Sequence, residues 1–190
     1  MKELEYPFDS EYILKKSKKI RRQLLESGAG FLDKKIAVLG GSTTHDIIRV
    51  LEVFLLQQGI RPQFYESEYA QYWQDVMFDN PELEAFHPDL IFIHTSGRNV
   101  TAYPALTDSA EQIDALLEEQ YEHFRVMWEK IADKYQCPVI QNNFEYPFYR
   151  VLGNQEAVYR QGRISFLNGL NEKFYQYARE HTGFYIHDIN

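Results

Sequence analysis

The chain has 190 residues, 44% hydrophobic and 15% aromatic, which suits one folded domain with a substantial core. Its 28 acidic and 20 basic side chains give a formal net charge of −8, which argues against general nucleic-acid binding and against docking on anionic membranes. One cysteine, Cys137, excludes an intramolecular disulfide and a multi-cysteine metal site. The N-terminal segment lacks an apolar core and no window of about 20 residues is apolar, so we expect a cytoplasmic protein.

The first predicted element is a helix over residues 9–27. Three apolar residues recur at helical spacing and form one stripe, namely Ile13, Ile20 and Leu24. Asp9 or Ser10 can cap its start, and the glycines at 28 and 30 are expected to end it.

Five segments predict strands near residues 35–40, 62–67, 89–95, 138–142 and 184–188. The first and third are apolar runs without alternation, which is typical of strands buried on both faces of a parallel sheet. Helical patterns separate most of them, so the order of elements predicts a three-layer α/β sandwich with a mainly parallel five-stranded sheet.

The connecting segments carry more specific predictions. The helix after the first strand is expected to face inward with Ile47, Leu51, Phe54 and Leu55. "AQYWQDVMFD" predicts a short helix and "NPELEAFHP" a turn-rich connection, while Asp108 with Glu111 three residues later has the spacing of a capping box. Residues 145–162 form the longest irregular stretch, and long loops in compact domains are often functional.

Polar, small-residue segments follow the predicted strands, where open α/β sheets collect their ligands. Ser42 follows the first strand, in "GGSTTHD". It would be a nucleophile near a helix N-terminus, or Ser42 or Thr43 would simply cap that helix; from spacing alone we favour the cap. Asn99 follows the third strand, in "SGRN", where its amide can donate to an oxyanion.

The remaining candidates are weaker. Asn142 and Asn143 would bind substrate or brace neighbouring loops, and Arg98 suits an anionic group. The candidate substrate contacts are Gly41, Thr43, Gly97, Arg98, Asn142 and Asn143. His123 and His181 are expected to be solvated, and no histidine pair has zinc-site spacing, so we expect no metal and no cofactor.

Two resemblances rest on these motifs. "GGST" and "GRN" resemble the first and third blocks of the SGNH (GDSL-type) hydrolases. "IAVLGGSTTHDIIRVLEVFLLQQGI", "FDNPELEAFHPDLIFI" and "PVIQNNFEYPFYRVLGN" resemble the N-terminal region of FkbH-like proteins of HAD subfamily IIIC. The resemblance implies a flavodoxin-like, SGNH-like single domain over 1–190, with Ser42 as nucleophile and Asn99 in the oxyanion hole.

The departures from these families qualify the expected function. The sequence has no D-x-x-H block and no D-x-D-x-[TV] signature, so we expect this chain to lack the families' catalytic histidine and the downstream HAD-type phosphatase domain. We expect an acyl-ester hydrolase or acyltransferase domain that is incomplete as a catalyst. The alternative is a non-catalytic domain that binds a substrate or an acyl carrier protein for a HAD-type domain.

Overall fold

A computed structural model describes residues 2–28 and 30–190; the predicted helix stop includes Ala29, which lies outside them. Five strands form one sheet: β1 (Leu32–Gly40), β2 (Ile60–Glu66), β3 (Leu90–His94), β4 (Val139–Asn142) and β5 (Phe184–His187). All neighbouring pairs run parallel, in the order β2-β1-β3-β4-β5. The predicted fold class is confirmed.

The strand order places a switch point between β1 and β3. The chain goes from β1 outward to β2 on one side and then returns to β3 on the other side of β1. The loops that leave β1 and β3 therefore diverge at the carboxyl edge, and such a crevice is where doubly wound sheets bind ligands. In the register, Gly40 of β1 lies beside His94 of β3.

In the part of the chain that the structure describes, six α-helices cover the two faces of the sheet: α1 (Ser10–Glu26), α2 (His45–Gln57), α3 (Tyr72–Met77), α4 (Pro81–Phe86), α5 (Ala110–Tyr135) and α6 (Arg163–Glu180). One face packs on α2, with α1 outside it, and the other packs on α3 to α6. The second face holds the larger core, in which the fully buried Trp128 lies 4.6 Å from Phe174 and 4.7 Å from Phe184 between ring centroids. None of the helices within the described residues is long and apolar enough to cross a bilayer.

The structure corrects three of the local predictions. Ile47 and Leu55 of α2 pack on the sheet as predicted but are only half-buried, whereas Phe54 packs on the side of α1. Val53 and Leu56, which α2 buries, belong to the core cluster shared with α1. The "NPELEAFHP" segment contains α4, whose N-terminus is capped by Asn80. The capping box of α5 is formed by Ser109 and Gln112, one residue later than predicted.

Candidate functional site

The loop between β1 and α2 holds Ser42 at the carboxyl edge of the sheet. Ser42 is half-buried, and among the described residues nothing hydrogen-bonds to its hydroxyl. The N-cap position of α2 is Thr44, whose buried hydroxyl donates to Glu66 Oε1 at 2.8 Å rather than to the helix backbone. The prediction that Ser42 or Thr43 caps the helix is therefore wrong, and the Ser42 hydroxyl is left free.

Asn99 joins the loop after β3 to the loop after β1. Its Nδ2 donates to the carbonyl oxygen of Gly41 at 3.0 Å, and its Oδ1 accepts the N–H of Ser96 at 2.9 Å. A Cβ at Gly41 would lie 2.4–2.6 Å from the Asn99 carboxamide, so only glycine permits this approach. Since Gly41 directly precedes Ser42, the two predicted catalytic residues lie at one place on the sheet edge. A carboxamide carries two N–H donors, and the contact with Gly41 engages one.

Gly97 and Arg98 form the turn between Ser96 and Asn99. The N–H of Gly97 donates to the Glu145 carboxylate at 3.2 Å, and its carbonyl accepts the Tyr103 hydroxyl at 2.6 Å. The Arg98 side chain is exposed, as is Thr43. Glu145, which begins the long irregular loop, thus reaches the same edge and occupies an N–H that could otherwise face a ligand.

Asn142 and Asn143 lie at the same edge but are fully buried. Asn142 accepts the N–H of Thr95 at 2.7 Å and donates to the carbonyls of Thr95 and Asn143. Asn143 donates to Tyr175 and Asp188, both at 2.7 Å, and accepts the N–H of Ile189 at 2.8 Å. Both amides are fully engaged within the protein, an arrangement that matches the bracing alternative of the prediction.

Three histidines lie near this edge, and none hydrogen-bonds to Ser42. His45 is mostly exposed, with its Nδ1 3.5 Å from Glu66 Oε2. His187 packs edge-on against Phe92, while the neighbouring Asp188 points to Asn143. His94 has a buried Nδ1 without a partner among the described residues. Among the described residues, the site therefore has a free hydroxyl that no histidine contacts through a hydrogen bond.

The pKa of His94 is lowered, first because its ring is buried and second because His187 is nearby; Glu145 opposes the shift. A histidine whose folded pKa lies below its unfolded value binds fewer protons in the folded state. Stability is therefore lost as the pH falls through the unfolded value of about 6.5 toward the folded pKa.

We expect the midpoint temperature of thermal unfolding to be lower at pH 5.5 than at pH 7.5. In the His94→Phe variant, this slope of the midpoint temperature against pH should be smaller. His123, stacked on Trp73 and also lowered in pKa by burial, should contribute to the slope in the same direction. The prediction that His123 is solvated is wrong. If the midpoint temperature depends on pH equally in His94→Phe and in the wild type, this result would contradict the inference that the folded protein buries a neutral His94 ring.

The long loop is ordered by a residue that the sequence did not indicate. Glu156 is 1% exposed, and its carboxylate accepts the N–H of Leu152 at 2.7 Å and that of Arg163 at 2.9 Å. It thereby supplies the cap that Gly162 cannot give to α6. The loop displays its aromatic side chains outward: Phe148 is 91% exposed and Tyr149 81%.

Cys137 lies away from this edge, just before β4. Its thiol is half-buried, and burial raises its pKa to about 11. The thiolate that a nucleophilic or metal-binding cysteine requires is therefore disfavoured near neutral pH. At the β1–β3 crevice, Ser42 offers a free hydroxyl directly after the contact between Asn99 and Gly41.

Comparisons with known proteins identify the family. The chain resembles the crystal structure of the N-terminal part of protein BF1531 from Bacteroides fragilis, described as containing a phosphatase domain complexed with Mg. The TM-score is 0.72 at 18% identity over 93% of this chain and 45% of that one. A trans-2-enoyl-CoA reductase from Clostridium, solved with NADH, matches at a TM-score of 0.41 and 8% identity over 95% of this chain and 64% of that one.

No curated protein sequence matches this chain. This chain spans less than half the length of the Bacteroides protein chain, and the likeness at that identity shows the fold alone. The family model of the FkbH N-terminal domain, by contrast, matches residues 35–190, which include both strand-end loops of the site. The chain therefore belongs to the FkbH N-terminal domain family.

Proposed function

We propose that the β1–β3 crevice is an acyl-binding site of the SGNH type, in which Ser42 is the nucleophile and Asn99 an oxyanion donor. The observation that carries the proposal is the contact between Asn99 and Gly41, which places a carboxamide next to the residue that precedes a free serine hydroxyl. The domain would act on acyl esters as a hydrolase or acyltransferase.

The local chemistry favours negative charge at this place. Ser42 comes three residues before α2, so the N-terminal N–H groups of that helix and its dipole point toward the loop. In the proposed step, the Ser42 hydroxyl gives its proton to solvent hydroxide and its Oγ bonds to the ester carbonyl carbon. The ester C–O bond then breaks, and the alkoxide leaves as the alcohol after it takes a proton from water. The second N–H of the Asn99 carboxamide is available for the carbonyl oxygen as it gains charge.

A second candidate follows from the missing base. No histidine hydrogen-bonds to Ser42 among the described residues, and the Glu145 carboxylate already holds the Gly97 N–H. A domain with this geometry would bind an acyl group or an acyl carrier protein for a HAD-type phosphatase domain, as the phosphatase domain of the Bacteroides protein suggests.

Acylation with an activated ester separates these functions. We expect p-nitrophenyl acetate at pH 9 to leave an acetyl group on Ser42 of the wild-type chain, located by peptide mass spectrometry. Thr43→Ala removes the neighbouring exposed hydroxyl and should not affect this labelling, whereas Ser42→Ala should abolish it. Equal labelling of the wild type and Ser42→Ala would rule out the serine mechanism and leave the binding function.

A further inference from the structure

A wide basic cleft lies between α1 and α2, outside the β1–β3 crevice. It measures about 800 Å³, within the range of small-molecule sites. From α1 it is lined by Ser17, Lys18, Arg21 and Arg22, and from α2 by His45 and Arg49. The family model begins at residue 35, so α1 lies outside the matched region.

The charge of this cleft is opposite to that of the whole chain. Six of the chain's 20 lysine and arginine residues lie within residues 15–22 of α1, while the chain as a whole carries −8. Two acidic residues also line the cleft, and Glu52 pairs with Arg21 at 2.6 Å. Lys18 and Arg22 have no ion-pair partner among the described residues. The cleft therefore presents uncompensated positive charge in a concave setting, which concentrates anions.

One guanidinium in the cleft is held in place by a buried serine. Ser17 interrupts the apolar stripe of α1 and is 3% exposed; its Oγ accepts from Arg49 Nη2 at 2.8 Å. The same nitrogen donates to the carbonyl of Leu14 at 3.1 Å, and Asp46 holds Nη1 at 3.0 Å. Arg49 is thus fixed across the helix pair, and fixed guanidinium groups bind phosphate with less loss of side-chain entropy.

We infer that the α1–α2 cleft binds the phosphate groups of a small phosphorylated molecule, with Lys18 and Arg22 as direct contacts and Arg49 as a fixed donor. Guanidinium and ammonium groups that converge on a concave space suit a compact anion of two or more charges. A long polyanion or a membrane would also approach the strongly acidic remainder of the surface, which repels both. This binding goes beyond the acyl site and does not involve Ser42.

Calorimetric titration with inorganic pyrophosphate at constant ionic strength tests the inference. We expect saturable binding that weakens by at least about tenfold in the double variant Lys18→Ala/Arg22→Ala, since two charge-assisted contacts are lost. Lys16→Ala/Lys19→Ala removes the same charge from exposed positions of α1 outside the cleft and should change the affinity less than about twofold. Ser17→Ala keeps every charge and should weaken binding, because Arg49 loses its buried acceptor.

Three results would overturn the inference. The first is equal loss of affinity in both double variants, which indicates diffuse attraction by α1. The second is the absence of saturable pyrophosphate binding by the folded wild-type chain. The third is tighter binding of a DNA duplex or of phosphatidylserine vesicles than of pyrophosphate, which would assign α1 to a macromolecular surface. Circular dichroism of each variant confirms that the helices are retained.

Discussion

Replacement of Asn142 by alanine is expected to lower the free energy of unfolding by roughly 3 kcal/mol or more. The side chain is fully buried and joins β4 to the residue after β3 through both its oxygen and its nitrogen. Its removal leaves the N–H and carbonyl of Thr95 and the carbonyl of Asn143 without that partner, away from water. Urea unfolding of the wild type and the variant measures the loss.

Asn154→Ala is the matched control, because Asn154 lies exposed in the long loop and makes none of these bonds. We expect its free energy of unfolding to stay within about 0.5 kcal/mol of the wild-type value. A stable Asn142→Ala protein that no longer takes up an acyl group would contradict the bracing role and restore the substrate contact that the sequence suggested.

Steady-state ester hydrolysis by the 190-residue chain is expected to lie close to the uncatalysed rate. A serine hydroxyl is a weak nucleophile until a base takes its proton, and removing the base of a triad lowers kcat by roughly 10⁴-fold or more. The Nδ1 of His94 is buried without a partner among the described residues, the Nδ1 of His45 lies 3.5 Å from Glu66 Oε2, and His187 packs on Phe92. Release of p-nitrophenolate at pH 7.5 measures the rate.

The control for turnover is a set of single histidine variants at the three positions. We expect His45→Ala, His94→Phe and His187→Ala to hydrolyse the ester at the rate of the wild type, within about twofold. Robust turnover that is abolished by Ser42→Ala and by one histidine substitution would identify a base that moves into contact with Ser42 when substrate binds.

The sheet could be predicted from the sequence because its signal is local. β1 and β3 each contain a continuous apolar run, which is typical of strands buried on both faces of a parallel sheet. Gly41 and Asn99 could also be placed, since strand ends of a parallel sheet meet at one edge. The steric reason for Gly41, a carboxamide packed against its Cα, required the structure.

The parts that could not be predicted depend on partners distant in the chain. Thr44 looks like one of three equivalent hydroxyl residues, yet Glu66 from the neighbouring strand takes its hydrogen bond. The capping carboxylate of α6 comes from Glu156, seven residues before Arg163, a spacing outside the local capping patterns. The role of Ser17 is visible only once α2 is docked on α1, because a serine in an apolar stripe otherwise looks like an interruption.

The Asn99→Asp variant tests the acyl site most directly. Aspartate keeps the oxygen that accepts the Ser96 N–H but removes both N–H donors, including the one proposed for the oxyanion. We predict that acetyl transfer from p-nitrophenyl acetate to Ser42 at pH 9 slows by at least about tenfold in this variant. Peptide mass spectrometry measures the rate of this transfer. The control, Asn168→Asp on the exposed face of α6, should not slow it. Acetylation of Ser42 at the wild-type rate in a folded Asn99→Asp chain would contradict a shared site.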